Sequence, residues 1–535
     1  MWTFTVWRPL QGKKKSVYVY CAERNRFITG ESRIQAGCTK CSRLYSCMGA
    51  LDKKHHILTC SAVSLAQKIK QKELKSEDLV KAVIERIKEV NPKINAITRG
   101  RYEAALDEAK AVDELISNGL SDEEAAKKPF LGVPFTSKES QAVKGQPFTF
   151  GLWCRRREIA TEDSEAVSRL KEAGAIPVAS TNLPELLVWQ ETRNPVYGMT
   201  RNPHHTGRTP GGSSGGEAAL TATCATVISL CSDIGGSTRM PAFYCGTYGH
   251  HPTPGTTPLK GVLFRKGDEE DTMLSLGFIS KHVEDLGPLT KVIVGDKASL
   301  LNLDKDVNIK DINFYYMETS KDMMLSSVCF DLRGAMKRVI TRISQDASST
   351  ANAPKPYYHQ GFNHMYNLWK YWISKEPEDL ATFYTNGNGK ANGLMELAKK
   401  VLGMSNYCFF SIVRLIEEQY LPKVDSDWAE TLTKEMKNDL FNKLGDNGVL
   451  LLPSAPHPAP FHFSCLLRPY NFAYWGIVNV LKCPATQVPL GVNAQGLPLG
   501  IQVVAAPHND ALCLTVAKYL ENEFHGFTRA CELKD

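Results

Sequence analysis

Two glycine-rich segments stand out for the chemistry they could do: Thr209-Pro-Gly-Gly-Ser-Ser-Gly-Gly-Glu217 and Ser232-Asp-Ile-Gly-Gly-Ser-Thr-Arg-Met-Pro241. Such runs are often linkers. Here the stretch between them, Ala218 to Leu230, is apolar and uncharged and must be buried, so a linker does not fit. Glycine inside a buried region lets backbone N–H groups come close to a ligand, and successive N–H groups form a nest for an anion. A phosphate would need GxxxxGK[ST] or GxGxxG, and neither run has that pattern. The other anion is a transient oxyanion. Ser237 closes the run Ile234-Gly-Gly-Ser, so a nucleophile and N–H donors facing the developing charge would share one turn. A serine hydroxyl is a weak nucleophile until a base takes its proton. Lys138 follows Gly-Val-Pro-Phe-Thr-Ser at the end of an apolar strand. Burial there would disfavour the ammonium and leave an amine able to act as base, whereas an exposed lysine would stay charged.

A competing pattern lies in the first run. Gly211-x-Ser213-x-Gly215 matches the GxSxG nucleophile elbow, which needs a strand immediately before it and a late histidine. The preceding residues, Arg201 to Thr209, are polar and contain Pro203, and His457 and His462 lie in a proline-rich stretch. The elbow reading therefore lacks its frame.

The elements that must position these residues follow from periodicity. Leu79, Val80, Val83, Ile84 and Ile87 form one apolar helical face, with Ser76 as its cap and Pro92 after its end. A second helix is predicted from Tyr102 to Ile116, a strand over Phe130 to Thr136, and a helix over Glu165 to Glu172 followed by a strand over Ala175 to Ala179. The middle, residues 300–440, reads as helical, with Phe362, Tyr366, Trp369, Tyr371 and Trp372 close together. Strands return at Val449 to Leu452, Ala485 to Leu490 and Leu499 to Ala505, and a helix over Asp510 to Leu520 ends the pattern. Helix and strand alternate, which predicts an α/β body.

The chain has 535 residues, 43% hydrophobic and 23% charged, which excludes fibrous and wholly disordered classes. No run of about 18 apolar residues predicts a spanning helix. Charge is uneven. Residues 1–60 hold 11 Lys+Arg against 3 Asp+Glu, so all of the +7 net charge belongs there, and the remainder, with 53 against 54, offers no basic face for nucleic acid. The first 60 residues also hold five of the 15 cysteines and show no period, so they read as a basic, cysteine-rich, disordered segment before one large domain over 61–535. Cys38-x2-Cys41 with Cys47 and His55/His56 could ligate zinc, but no second CxxC completes a familiar spacing. The other ten cysteines are scattered like free thiols of an intracellular protein.

GGSSGG, then DIGGS with Ser237 24 residues beyond Ser213, and Gly-Val-Pro-Phe-Thr-Ser-Lys138 upstream, together resemble the amidase signature family over residues 62–525. The resemblance implies a twisted mixed central β-sheet flanked by helices on both sides. It implies a Ser-cisSer-Lys set in which Ser237 is acylated, Ser213 bridges after a cis peptide bond and Lys138 is the general base. The N–H groups of Ile234, Gly235, Gly236 and Ser237 would form the oxyanion hole, supported by Ser214, Asp233 and Arg239. Leu187, Val188 and Trp189 would wall the acyl pocket. Within the family, Arg468-Pro-Tyr-Asn-Phe-Ala-Tyr474 and His282-Val-Glu-Asp-Leu286 resemble the second type of the fatty-acid amide hydrolase branch. That branch implies hydrolysis of long-chain fatty-acid amides, with no metal or cofactor. Its partners would be a small-molecule amide, a peripheral membrane contact and a homodimer, in a cytoplasmic or membrane-associated setting. A small-amide or aryl-amide hydrolase, or an inactive amidase-like binding protein, are the alternatives. Val401 to Val413 is uncharged and would be either a core helix or an interfacial one. Gly277-Phe-Ile-Ser-Lys281 departs from the family's usual Gly-Pro-Met-x-Arg.

Overall fold

The computed structural model describes residues 18–21, 26–29, 50–51, 53–262, 265, 267, 271–305, 307–347, 353–377, 379–524, 526–530 and 532–533. The chain divides into two compact units, Met1–Ser46 and Cys47–Asp535. The first holds an antiparallel hairpin of Tyr18–Cys21 and Arg26–Thr29. The second holds everything that follows. Residues 47–60, grouped with the N-terminal segment on composition, fall in the second unit. Ala50–Leu51 pairs with Glu532–Leu533, Lys53–Thr59 is a 3-10 helix, and Leu58 is fully buried. Ile57 and Cys60 pack with Leu58 against the core, which composition averaged over 60 residues hides. Cys38, Cys41 and Cys47 lie outside the described residues. His55 is buried and meets Glu85 at 3.3 Å.

The body is α/β, built on an eleven-stranded mixed sheet. Pro134–Lys138 runs parallel to both Ile176–Thr181 and Ile228–Asp233, which flank it. Ser275–Ser280, Tyr248–His251, Ala485–Val492, Pro498–Ala505 and Gly448–Pro453 continue the sheet antiparallel, and Asn313–Tyr316 and Lys355–Pro356 close that side in parallel. Every residue of Pro134–Lys138, Ile176–Thr181 and Ile228–Asp233 is buried, so both faces of this part of the sheet are covered. Lys138, Thr181 and Asp233 therefore end three parallel strands at one edge, where open α/β sheets place their ligands.

Local details differ from the sequence reading where a tertiary partner competes. The first long helix spans Ser76–Ile94 with Lys75 at its N-cap, and Ser76 is not the cap. Its exposed amides are taken by the Asp113 carboxylate, at 2.7 Å from Ser76 N and 3.0 Å from Glu77 N, which frees the Ser76 hydroxyl to donate to the Gly132 carbonyl at 2.8 Å. Pro92 lies inside the helix, which ends at left-handed Asn95. The strand expected from Phe130 begins only at Pro134, because Val133 N–H closes a turn onto Phe130 O at 3.0 Å. The uncharged Val401 to Val413 run is neither one core helix nor one surface helix. Val401, Leu402 and Met404 are exposed, a turn follows, and Phe410 and Ile412 are buried in the helix Phe409–Tyr420.

Candidate active site

Lys138 is fully buried at the end of its strand. Its Nζ lies 2.7 Å from Ser213 Oγ, 2.9 Å from Ser232 Oγ and 3.2 Å from the Ser232 carbonyl. Burial pushes its pKa down to about 8, against the opposing pull of Cys231, Asp233 and Glu217. The ammonium form is thus close to balance with the neutral amine, and the neutral amine can accept the Ser213 proton.

Ser213 is buried and follows a cis peptide bond from Gly212. The loop that carries it is held from both sides: Thr192 Oγ1 donates to the Gly211 carbonyl at 2.8 Å, and Gly211 N–H donates to Thr209 Oγ1 at 3.0 Å. A Cβ on Gly212 would fall 2.4 Å from the Trp189 carbonyl, so only glycine fits there. Ser214 leads into the helix Gly215–Ala222, and its N–H donates to the Ser237 carbonyl at 3.1 Å. The loop has no strand before it, as a GxSxG elbow would require; Arg201 to Gly211 holds only turns and isolated bridges.

Ser237 is half-buried, unlike the wholly enclosed Lys138 and Ser213. Its turn is braced by Asp233. Asp233 Oδ1 accepts from Gly236 N–H at 2.7 Å and Oδ2 from Thr238 N–H at 3.1 Å. The Arg239 guanidinium grips the same carboxylate with Nε to Oδ2 and Nη2 to Oδ1, both at 3.0 Å. Burial alone would raise the Asp233 pKa, but the Arg239 charge and these donors hold the carboxyl far below the usual range. Of the four amides expected to face an oxyanion, Gly236 N–H is therefore turned onto Asp233. The carboxylate takes none of the other three, those of Ile234, Gly235 and Ser237. Gly236 has φ 107°, and a Cβ on it would meet Trp475 Cβ at 2.4 Å.

Leu187, Val188 and Trp189 are each half-buried and do different things. Leu186 and Leu187 take left-handed backbone, φ 53° and 65°, a strained turn of the kind that persists only where its surroundings enforce it. Val188 packs into a small core with Phe150, Leu186 and Tyr384. Trp189 stacks on Phe410 with ring centroids 4.3 Å apart, and its carbonyl abuts Gly212. Phe410 also lines a cavity of about 360 Å³, with Arg193, Tyr407, Phe409 and Phe463 among others.

Several residues of the site have no motif around them. Asn479 and Gln502 bind Arg239, with Oδ1 and Oε1 each 2.7 Å from a guanidinium nitrogen. Trp369, visible in sequence only as part of an aromatic cluster, donates Nε1–H to the Ile234 carbonyl at 3.0 Å and covers Gly235. Lys281, at the departure from Gly-Pro-Met-x-Arg, is buried and donates to the Thr226 carbonyl at 2.8 Å. His251 Nδ1 is 4.0 Å from Asp233, behind the ion pair, and burial pushes its pKa down to about 3. Among the described residues no group of three or more His, Cys, Asp or Glu is arranged to hold a metal ion.

The sequence as a whole matches a known family. The Amidase family model matches residues 78–514, and the chain belongs to that family and is an amide hydrolase. Among curated proteins it is 40% identical to fatty-acid amide hydrolase 2 of Homo sapiens over 482 residues, covering 88% of the chain and 90% of the relative. It is 37% identical to fatty-acid amide hydrolase 2-B of Danio rerio with the same coverage. A solved fatty acid amide hydrolase structure superposes with a TM-score of 0.69 at 21% identity, covering 88% of this chain and 86% of that one, a likeness of fold.

Proposed function

We propose that the chain hydrolyses long-chain fatty-acid amides through an acyl-enzyme on Ser237. Neutral Lys138 takes the proton of Ser213, and Ser213 takes that of Ser237 as Ser237 Oγ bonds to the amide carbon. The developing oxyanion meets the N–H groups of Ile234, Gly235 and Ser237, the Gly236 amide being held by Asp233. The proton then returns through Ser213 to the departing nitrogen as the C–N bond breaks, and an amine leaves readily only once protonated. Water attacks the ester along the same route, releasing the acid and freeing Ser237. The observation that carries this reading is the 2.7 Å contact between wholly buried Lys138 Nζ and Ser213 Oγ.

The substrate class rests on the names of the relatives and on the apolar surroundings of Trp189. Burial of each CH₂ is worth about 0.8 kcal/mol. Hydrolysis measured on amides of increasing acyl length tests it: specificity constants should climb steeply from a two-carbon to an eighteen-carbon acyl chain. A flat profile favours a small-amide hydrolase, and absence of fluorophosphonate labelling favours a binding protein.

Delivery of such a substrate from a membrane face is part of the proposal. Leu394, Met395, Val401, Leu402 and Met404 are all more than half exposed around the helix Gly393–Val401, beside Lys399 and Lys400. Among the described residues no helix is long and apolar enough to cross a membrane. Leu402→Asp with Met404→Asp should weaken sedimentation with liposomes and leave hydrolysis of a soluble amide unchanged; unaltered sedimentation counts against the contact.

A further inference from the structure

Glu217 is a buried acid acting on Lys138 that the relay above does not use; Glu139, next to Lys138 in the chain, is instead taken up by Thr149 and the Phe150 amide. Glu217 is fully buried in the first turn of the helix Gly215–Ala222, four residues after Ser213. Its carboxylate accepts hydrogen bonds from the hydroxyls of Thr136 and Thr181, the latter at 2.9 Å. Both donors are tied to Lys138 by the sheet. Thr136 lies two residues earlier on the same strand and so points to the same face, and Thr181 is paired with Lys138 in register on the neighbouring strand. The two hydroxyls thus hold the acid at the side of Lys138. The other charged or titratable groups around the lysine are differently committed. On the strand Ile228–Asp233, Asp233 is locked to Arg239, and Cys231 is a buried thiol whose pKa is pushed well up. Lys281, from the end of Ser275–Ser280, is bound to the Thr226 carbonyl, and Thr226 Oγ1 meets Thr136 Oγ1 at 3.1 Å.

We propose that Glu217 is a positioning residue for the reaction, the counter-charge that stabilises Lys138 when it becomes an ammonium on taking the Ser213 proton. The inference rests on the proposed relay. Glu217 exchanges no proton in it: the proton moves only between Ser213 Oγ and Lys138 Nζ, and the carboxylate lowers the energy of the charged state by attraction in a dry site. Burial raises the Glu217 pKa to about 7, opposed by the threonine hydroxyls, so the acid is mostly ionised by the pH at which Lys138 is half-titrated, near 8.

The test is the pH dependence of fluorophosphonate labelling of Ser237, which needs no knowledge of the substrate. Glu217→Gln keeps the shape and a carbonyl acceptor but removes the charge. Without it the ammonium is less stable, so the rising limb should move to lower pH by about one unit and the plateau rate should fall by about tenfold or more. Glu217→Asp disturbs the threonine bonds but keeps the charge, and its limb should stay near the wild-type position. Hydrogen bonding alone predicts the reverse, with Asp worse than Gln. Should Glu217→Gln fail to fold, Thr181→Val, which removes one donor and raises the acid's pKa, should shift the limb in the same direction by less. An unmoved limb in a folded Glu217→Gln protein overturns the inference. Retained labelling in Ser237→Ala overturns the relay itself, whatever Glu217 does.

Discussion

The amide of Ser214 donates to the carbonyl of Ser237 at 3.1 Å, joining the two glycine-rich loops backbone to backbone. The bond involves neither side chain, so it fixes the loop of Ser213 against the turn of Ser237 while leaving both hydroxyls available. With Lys138 held on Ser213 from the sheet edge, three segments far apart in the chain meet without any one of them being long enough to form a site alone.

Ser237→Ala should abolish turnover and fluorophosphonate labelling together. Lys138→Ala should keep the nucleophile but lower the rate by about 10²–10⁴-fold, part of it regained at high pH as hydroxide substitutes for the amine. Ser213→Ala should behave like the lysine change. Each His→Ala variant should retain substantial activity; a histidine change as damaging as Ser237→Ala in a folded protein would sink the assignment.

The labelling rate of the wild-type protein should rise with pH and level off above about 8, where burial has placed the Lys138 pKa. The sign follows from the base form being the neutral amine, populated as pH passes that value. A rate that falls over pH 7 to 9, in protein still folded by circular dichroism, contradicts a lysine base.

Asp233→Asn should destabilise the fold by about 3–5 kcal/mol, because the Arg239 guanidinium would then be buried without its counter-charge. Chemical denaturation reads this directly. Residual folded protein should label slowly, since the Gly236 and Thr238 amides bond to different carboxylate oxygens and asparagine keeps only one of them.

Removing residues 1–46 should leave melting temperature and labelling unchanged, because the second compact unit starts at Cys47. Removing 1–60 should lower the melting temperature by several degrees. That cut takes away buried Leu58 and the Thr59 carbonyl, which lies 2.6 Å from His282 Nε2. Equal melting curves for the two truncations contradict this division.

Trp189→Ala removes the ring stacked on Phe410. The specificity constant for a long-chain amide should fall by about tenfold, on the scale of a stacked pair together with lost apolar burial, and that for a two-carbon amide should change little. Equal losses on both would mark Trp189 as a support of the Gly212 loop rather than a wall.

How much of this was legible beforehand depended on distance along the chain. The glycine runs are local signals, so Ser213, Ser237 and the Asp233–Arg239 neighbourhood could be singled out by reading ten residues at a time. Lys138 was a candidate from the apolar strand before it, but an exposed lysine would read the same way, and the family resemblance singled it out. The alternation of helix and strand announced the α/β body for the same reason. Asn479 and Gln502 sit more than two hundred residues from the Arg239 they bind, in segments whose own pattern says only helix and strand. Trp369 could not be told from its aromatic neighbours until the fold laid it over Gly235. Ser76 has the residue type of a cap, but Asp113 from the next helix outbid it for the amides. The engagement of the Gly236 amide by Asp233 was likewise invisible, since a motif names residues and not the direction of an N–H.

The complete enclosure of Lys138 has a consequence for how the molecule handles acid and base from outside. A wholly enclosed amine hydrogen-bonded to Ser213 and Ser232 meets no dissolved buffer ion directly and exchanges its hydrogen only through neighbouring groups. In the proposed relay each hydrogen taken up in one half-reaction returns through the hydroxyls of Ser213 and Ser237, so the proton passes between nucleophile and leaving group without leaving the site. On that relay the rate at fixed pH should be independent of buffer concentration and identity.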